Sequence, residues 1–340
     1  MKTELKYGEN PHQRASALIR ETTDPLAIQN FKSGDAAPFV GSGASWISIT
    51  DLGRLLVVAE RFAAAYRKNV RRALPHLAAI VKHGSPCGAA FGGDSAEVAA
   101  ASWAGDPQAA FGGFFLCTFP FTKKVAAALK DANAGKMPFL SVAAPSLQSG
   151  IEEYIGAKAA TRYFIANPAL AKIPDHLVGG GEVKSVRDLT LEQEAFNFIP
   201  DFAHMERHGT ALSGKDAKIV FADLSLAYAV ASSSTSNTVT LVKNGRLIGN
   251  AVGQQKRLGS AKLALRLAKE NGHDVKGAVA VSDSFFPFPD GLEVLAKAGV
   301  RAVFATSGSV RDKDVFAAAE KLKVALFTVP DKEGRMFAGH

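Results

Sequence analysis

The sequence predicts an α/β fold with a largely parallel sheet, and three observations support this prediction. Residues 237–252 consist of two β-rich runs joined by Asn244-Gly245, a pair that favours the type I′ turn of a β-hairpin. Strand-like and helix-like segments then alternate along the chain, which requires crossover helices between parallel strands. In the first half, helical spacing over 51–72 leads into an apolar run over 77–81, which predicts a helix followed by a buried strand.

The remaining elements follow the same periodicities. A second helix is expected over 94–104, and paired glycines after it indicate close backbone packing. Apolar residues on one helical face predict a helix over 215–232. The elements predicted after the hairpin are a helix over 256–272, strand GAVAVS, helix GLEVLAKAG, strand VRAVFA, helix DKDVFAAAEKL and strand VALFTV. Ligands bind at the carboxyl ends of strands in such sheets, so the loops SDSFFPFPD and TSGS are candidate sites.

The length predicts two domains. A chain of 340 residues can build two domains of ordinary size. The glycine-rich segment VGGGEVKSVRD is the best linker candidate. We therefore expect one domain over 1–190, with Lys82 and His83, and a second over 191–340, with Asn237 and the SDSFFPF loop.

Composition excludes several classes of protein. Hydrophobic residues make up 47% of the chain and charged residues 21%, as in soluble globular proteins. No segment approaches the roughly 20 consecutive apolar residues of a membrane span. The first residues lack the apolar core of a signal peptide, and two cysteines cannot form a disulfide framework. We therefore expect a cytoplasmic protein.

The net charge of +8 fits either nucleic acid or a small anionic ligand. The basic residues are scattered, and only residues 66–72 cluster them, without the interleaved aromatic side chains that stack on bases. That cluster is typical of a solvated helix face. We therefore expect a small anionic ligand, and neither nucleic acid nor a membrane as a partner.

The segment VKHGSPCGAA, residues 81–90, could be a metal site, a nucleophile, a phosphate loop or a turn. Zinc is disfavoured because there is no CxxC pair and the other cysteine, Cys117, lies far along the chain. For Cys87, packing at a helix start is favoured over a role as nucleophile. Lys82 and His83 at the end of a buried strand cost free energy unless they face a cleft. A strand end that reaches solvent explains them equally well.

Four other segments are candidate ligand contacts, each with a plain structural alternative. KYGENPHQRA (6–15) suits a ligand wall or an ordered N-terminal arm. GQQKR (253–257), where the hairpin enters a helix, suits an anion or is an ordinary turn. SDSFFPFPD (282–290) suits a wall for a flat ring more than a core element. SGS (307–309) suits helix capping more than anion binding.

These segments, in this order, resemble the AICAR transformylase domain of the bifunctional AICAR transformylase/IMP cyclohydrolase family. Six collinear motifs carry the resemblance, namely KYGENPHQ, VKHGSPCGAA, AFGGFF, TSNTVTLVKNGRLIGNAVGQQKR, SDSFFPFPDGLEVLAKAGV and TSGSVRDKDV, followed by Arg335, Phe337 and His340. Because the similarity starts at residue 6, we expect a stand-alone transformylase without the cyclohydrolase domain. The chain is also shorter than the usual domain, notably between LAKENGHD and SDSFFPF.

The resemblance implies transfer of a formyl group from the cosubstrate 10-formyltetrahydrofolate to the 5-amino group of AICAR, giving FAICAR in purine biosynthesis. It implies two cytidine-deaminase-like, three-layer α/β/α units without zinc. It also implies K⁺ as a candidate cation and a homodimer with active sites at the interface. A phosphorylated substrate and a polyanionic folate would account for the positive charge.

The resemblance also assigns roles to individual residues. It gives His83 the role of general base for the aromatic amine, and Lys82 that of stabilising the oxyanion. Asn237 would hold the formyl or carboxamide group. The expected AICAR contacts are Lys6, Tyr7, His12, Gly113, Arg257, Phe285 and Arg335. The expected folate contacts are Leu258, Phe286, Pro287, Phe288 and Asp290, with Phe285 as a further wall.

Four positions depart from the family pattern. Lys6 replaces an arginine, which keeps the charge but loses bidentate phosphate geometry. Ser85 stands where asparagine is usual, Ser232 where lysine is frequent, and Leu140 where an acidic residue is found. One alternative is therefore a formyltransferase with a different aminoimidazole nucleotide or formyl donor. Another is a non-catalytic relative that binds purine intermediates, although the retained base argues against it.

Overall fold

The computed structural model describes residues 1–33, 37–41, 43–139, 141–155, 163–174 and 181–338. Two positions singled out by the sequence, Leu140 and His340, lie outside this described part. No helix within it combines the length and the apolarity that crossing a membrane requires.

The helices and strands begin and end close to the residues that the periodicity predicts. The helices are α1 (Trp46–Val70), α2 (Ser95–Trp103), α3 (Pro107–Ala110), α4 (Lys123–Ala132), α5 (Ile151–Ile155), α6 (Gly214–Ala231), α7 (Arg257–Glu270), α8 (Asp290–Lys297), α9 (Asp312–Leu322) and α10 (Asp331–Gly334). The strands are β1 (Lys2–Leu5), β2 (Ala15–Leu18), β3 (Lys32–Ser33), β4 (His76–Lys82), β5 (Ser85–Gly92), β6 (Phe114–Cys117), β7 (Ser141–Ala144), β8 (Tyr163–Ala166), β9 (Glu182–Val186), β10 (Leu189–Gln193), β11 (Glu206–His208), β12 (Val239–Lys243), β13 (Arg246–Ala251), β14 (Val279–Ser282), β15 (Ala302–Ser307) and β16 (Ala325–Pro330).

Twelve strands form one sheet in the order β11-β16-β15-β14-β12-β13-β5-β4-β6-β7-β8-β3. The others form two separate hairpins, β1 with β2 and β9 with β10. Strands β14 to β16 are parallel to one another, as are β6 to β8. The parallel sheet predicted for the second half is therefore confirmed, and the first half contains the same arrangement.

The two halves of the sheet repeat one order of elements. In each half a long helix, α1 or α6, precedes a hairpin, and helices then alternate with three parallel strands. Both hairpins carry the sequence Val-Lys-x-Gly at the turn, in residues 81–84 and in residues 242–245. The hairpins lie beside each other because β5 pairs with β13 in the antiparallel sense. The two halves of the chain therefore meet at this pair of strands.

The sheet lies between two layers of helices, which confirms the three-layer α/β/α arrangement. Helices α1 and α6 pack together over one face, in a core that contains Phe62, Tyr228 and Phe304. Helices α2 and α4 cover the other face in the first half, and α7, α8 and α9 cover it in the second. Each aromatic side chain buried in this way contributes roughly 1.5–3 kcal/mol to folding, so both layers are well anchored.

The predicted location of Cys87 is wrong. This residue lies within strand β5, not at a helix start. The reason is a tight turn: His83 and Gly84 have φ angles of 53° and 72°, and the chain returns along β4.

The linker candidate overlaps the β9–β10 hairpin, in which every residue is exposed. The domain boundary near residue 190 lies within that hairpin and remains a prediction.

We expect Gly249→Ala to destabilise the protein and Gly53→Ala to stabilise it. A Cβ atom at residue 249 would lie 2.5 Å from the carbonyl oxygen of Ala264, a backbone atom that cannot move aside cheaply. The expected cost is about 1–3 kcal/mol. At residue 53, inside α1, the nearest atom would be 3.8 Å away, so alanine should add roughly 0.5–1 kcal/mol through helix propensity. Urea denaturation measures both, and equal midpoints for the two variants would contradict the prediction.

Candidate active site

Two cavities contain most of the predicted site residues, and none of the described residues lines both. The larger, the Phe285 cavity, has a volume of about 550 Å³ at the carboxyl end of β14. Its predicted members are Asn237, Arg257, Leu258, Phe285, Pro287, Phe288, Asp290 and Arg335. The smaller, the His83 cavity, has a volume of about 340 Å³. Its predicted members are Lys82 and His83, and Ser85 and Cys87 from the same segment also line it.

A buried ion pair forms the floor of the Phe285 cavity. The guanidinium of Arg257 donates to Asp283 Oδ1, to Ser282 Oγ at 3.1 Å and to Asn237 Oδ1 at 2.6 Å. The amide of Asn237 in turn donates to the carbonyl oxygen of Gln254 at 2.7 Å. A buried charge pair is tolerated only when further hydrogen bonds satisfy it. The network therefore fixes Arg257, and a ligand would meet the Oδ1 atom of Asn237 more readily than its N–H groups.

The phenylalanine rings of the loop after β14 point to two different sides. Phe285 and Phe288 line the cavity, and the Arg311 guanidinium lies 5.6 Å from the centroid of the Phe288 ring. Phe286, predicted as a folate contact, does not line it. This ring is 2% exposed and packs in the core against Gly291. The apolar wall predicted for this loop is present, but its middle phenylalanine is a core residue.

Arg335 supplies a second positive charge to the Phe285 cavity. Its Nε donates to Asp331 Oδ2 at 2.6 Å. The other oxygen of Asp331 accepts from Ser284 Oγ at 2.8 Å and Thr306 Oγ1 at 2.5 Å. Burial raises the pKa of Asp331, but the hydrogen bonds from Arg335, Thr306 and Ser284 outweigh it and hold the pKa below its usual value. The carboxylate therefore stays charged and orients Arg335.

The His83 cavity lies beside the turn of the first hairpin. His83 is exposed at the turn, and Lys82 Nζ donates to the carbonyl oxygen of Phe111 at 2.8 Å. The N–H of Gly84 donates to Asp51 Oδ1, on α1, at 2.8 Å. The lysine and the histidine thus line the same cavity, which is open to solvent on the side of His83.

Two further polar residues of the His83 cavity are not among the predicted ones. Asp106 caps α3, with its Oδ1 accepting from the N–H of Ala109 at 3.0 Å. Asn250 donates to the carbonyl oxygen of Pro86 at 2.8 Å and accepts from Thr240 Oγ1 at 2.7 Å. The Asp-Pro pair is a helix-start signal in the sequence. For Asn250, the signal in the sequence is a polar asparagine inside a β-rich run.

The cysteines serve packing. Burial and, to a lesser degree, the carboxylate of Asp106 raise the pKa of Cys87 to about 12. Burial also raises the pKa of Cys117. Both thiols are therefore protonated near neutral pH and are poor nucleophiles. Among the residues described, no group of three or more His, Cys, Asp and Glu side chains is arranged to hold a metal ion.

Besides Phe286, four predicted contacts line neither cavity: Lys6, Tyr7, His12 and Gly113. The first three belong to the loop between β1 and β2, which is tied to the start of α1. The N–H of Lys6 donates to the carbonyl of Ala44, and the N–H of Trp46 to that of Tyr7, both at 3.0 Å. A Cβ atom on Gly113 would lie 2.9 Å from the carbonyl oxygen of Val81, so this glycine serves close packing beside β4.

The departures from the family pattern have distinct surroundings. Ser85 begins β5 and lines the His83 cavity. Ser232 is 1% exposed at the end of α6, where its Oγ donates to the carbonyl oxygen of Tyr228 at 2.7 Å. The carbonyl of Ser232 accepts from the guanidinium of Arg61, on α1. A positive charge therefore reaches the C-terminus of α6 from another helix, where the helix dipole favours it.

Comparison with known proteins gives a consistent result. The family model described as AICARFT/IMPCHase bienzyme matches residues 1–267. The bifunctional purine biosynthesis protein PurH of Thermotoga maritima is 32% identical over 331 residues, which are 97% of this chain and 62% of that protein. PurH of Pelodictyon phaeoclathratiforme is 32% identical over 325 residues, 95% of this chain and 57% of that protein. The chain thus spans about three fifths of the curated relatives that it matches.

Two solved structures each match about a quarter of the chain. A diaminohydroxyphosphoribosylaminopyrimidine deaminase/reductase from Thermotoga maritima is 15% identical, with a TM-score of 0.22, and the match covers 28% of this chain and 29% of that one. The dCMP deaminase of cyanophage S-TIM5 is 20% identical, with a TM-score of 0.23, and the match covers 27% of this chain and 79% of that one. At these TM-scores, the α/β class rests on the sheet topology described above.

Proposed function

The chain belongs to the AICARFT/IMPCHase bienzyme family, and we propose that it transfers a formyl group from 10-formyltetrahydrofolate to the 5-amino group of AICAR, giving FAICAR in purine biosynthesis. The observation that carries this proposal is the placement of Lys82 and His83 together on one cavity. The Phe285 cavity, with its aromatic wall and two arginines, supports binding of a flat, anionic cosubstrate.

In the proposed reaction His83 is the general base. The amine nitrogen of AICAR attacks the formyl carbon, and His83 removes a proton from that nitrogen as the bond forms. Imidazole suits this step because it gains and loses protons near neutral pH. The ammonium of Lys82 donates to the formyl oxygen, which becomes an oxyanion in the tetrahedral intermediate. Collapse breaks the bond to N10 of the folate, and the proton taken up by His83 passes to N10, so that tetrahydrofolate leaves and the imidazole is neutral again.

Each cavity has a part of the proposed site. The Phe285 cavity offers apolar rings for the pterin and two guanidinium groups for anionic groups, whereas the base lies in the His83 cavity. Since the two share no lining residue, we propose that the active enzyme is a homodimer in which the His83 cavity of one protomer faces the Phe285 cavity of its partner. A symmetric dimer of this kind forms two identical sites.

Asp283 fits the monovalent cation that the resemblance implies. Its Oδ2 atom is buried and has no hydrogen-bond partner among the described residues, while its Oδ1 is held by Arg257. An unsatisfied buried carboxylate oxygen is costly unless a cation or a donor meets it. We propose Asp283 as the residue that would hold K⁺, which would satisfy the Oδ2 atom beneath the loop that carries Phe285.

A second candidate function is formyl transfer to a different aminoimidazole nucleotide or from a different donor. Ser85 lines the His83 cavity where the family has an asparagine, so one hydrogen-bonding group that faces the substrate is altered. A non-catalytic role in binding purine intermediates would also keep the cavities. Turnover assays with AICAR and with other aminoimidazole nucleotides separate these functions.

We expect His83→Ala to lower kcat by roughly 10²–10⁴-fold, because general-base catalysis contributes that much, with the Kd for AICAR changed by less than about threefold. The assay follows tetrahydrofolate release, and calorimetry gives AICAR binding. His204→Ala is the matched control, since His204 is exposed and pairs with Asp201 away from both cavities. Turnover that survives His83→Ala, or no turnover by the wild type with any acceptor, would contradict the proposed function.

We expect Phe285→Ala to raise the KM for 10-formyltetrahydrofolate roughly 10-fold, because a ring is removed from the apolar wall. The KM for AICAR serves as the internal comparison. Phe288→Ala is a second variant on the same wall, and its more exposed ring should give a smaller effect. An unchanged KM for the folate in both variants would place the cosubstrate elsewhere.

We expect mixed dimers of inactive variants to regain activity. If His83 and Asn237 act in one site from different protomers, a dimer of His83→Ala with Asn237→Ala has one intact site and one site that carries both changes. Random mixing of equal amounts should therefore restore about one quarter of wild-type activity. Co-expression with two affinity tags isolates the mixed dimers. If each site lies within one chain, the mixture stays inactive.

A further inference from the structure

Two buried aspartates hold the two hairpin turns in the same way. Asp51, on α1, is 6% exposed, and its Oδ1 accepts from the N–H of Gly84 at 2.8 Å. Asp223, on α6, is 2% exposed, and its oxygens accept from the N–H groups of Asn244 at 3.0 Å and Gly245 at 2.7 Å. Each long helix thus fixes the hairpin that follows it.

The two turns have the same backbone conformation but carry different side chains. His83 and Asn244 occupy the same position and have φ angles of 53° and 51°. This left-handed conformation is uncommon outside glycine, so an interaction that pins it matters in both turns. Lys243 is ion-paired with Asp274 at 2.9 Å, whereas Lys82 donates to a backbone carbonyl. Only the first of the two turns carries the residues of the proposed reaction.

Asp51 stays buried at a cost. Burial is the largest effect on its pKa and raises it, while the N–H of Gly84 and the charges of His83 and Arg54 lower it. A buried carboxyl group must be hydrogen-bonded to be tolerated in a core. The hydrogen bond from the N–H of Gly84 to Asp51 Oδ1 is the contact that satisfies the buried carboxyl group.

We propose that Asp51 is a positioning residue for the formyl transfer: by holding the His83–Gly84 turn, it directs His83 and Lys82 toward the same substrate in the His83 cavity. It acts through the backbone of the turn and touches no reacting atom. The inference rests on the proposed function, because it assigns the orientation of the base in that reaction. Without Asp51, the turn is free to adopt other backbone angles, and the imidazole no longer aligns with the amine.

The test compares Asp51→Ala with Asp223→Ala, which removes the side-chain hydrogen bonds to the turn of the other hairpin, two there against one at Gly84. We expect both to lower the midpoint of urea denaturation. Only Asp51→Ala should also lower kcat, by about 100-fold, with the KM for AICAR within about threefold, because a misplaced base affects the chemical step. Asp51→Asn keeps an acceptor oxygen and should recover kcat to within about threefold of wild type. Equal kcat for Asp51→Ala and Asp223→Ala would overturn the proposal.

A spectroscopic measurement separates this inference from the proposed function. The ring cross-peak of His83 in a ¹H–¹³C spectrum is assigned from its loss in His83→Gln. We expect it to shift in Asp51→Ala and to stay in place in Asp223→Ala. If the wild type transfers no formyl group, the proposed function fails, and this spectrum still tests the turn. An unmoved His83 signal would refute the positioning role. If Asp51→Ala does not fold, Asp51→Leu, which fills the volume without an acceptor, replaces it in both measurements.

Discussion

The pairing of β5 with β13 is the interaction on which the rest of the structure depends. At one end the N–H of Phe91 donates to the carbonyl of Gly245 at 2.8 Å. Toward the other end the side chain of Asn250, on β13, donates to the carbonyl of Pro86, on β5, at 2.8 Å. This pairing joins two repeated units into one twelve-stranded sheet. It also gives the His83 cavity walls from both halves of the chain.

Three charged groups of the two cavities are held by partners within the chain. Arg257 is fixed by Asp283, Arg335 by Asp331, and Lys82 by the carbonyl of Phe111. Such groups lose little conformational freedom on binding, so more of their interaction energy is available to the ligand or to a transition state. The cost appears in folding, because the Arg257–Asp283 pair is removed from water and removal of either partner would leave an unpaired buried charge.

Sequence patterns predict the second half of this fold better than the first, and the reasons are local. Asn244-Gly245 lies between two β-rich runs, so its hairpin is evident. The equivalent turn at His83-Gly84 is followed by Pro86 and Cys87, which obscure the second strand. The recurrence of Val-Lys-x-Gly at residues 81–84 and 242–245 is the sequence signal that indicates a second hairpin turn at His83-Gly84.

Other features of the candidate site depend on contacts that no short pattern encodes. Phe286 differs from Phe285 only in the direction it points from a loop, and helix α8 decides that direction by covering one ring. The separation of the Phe285 and His83 cavities follows from the way two distant hairpins pair. The two Val-Lys-x-Gly turns also show why chemistry could be confined to one of them. An aspartate accepts from the backbone beneath each turn, so the residue in the left-handed position can be Asn where only structure is needed and His where the proposed reaction needs a base.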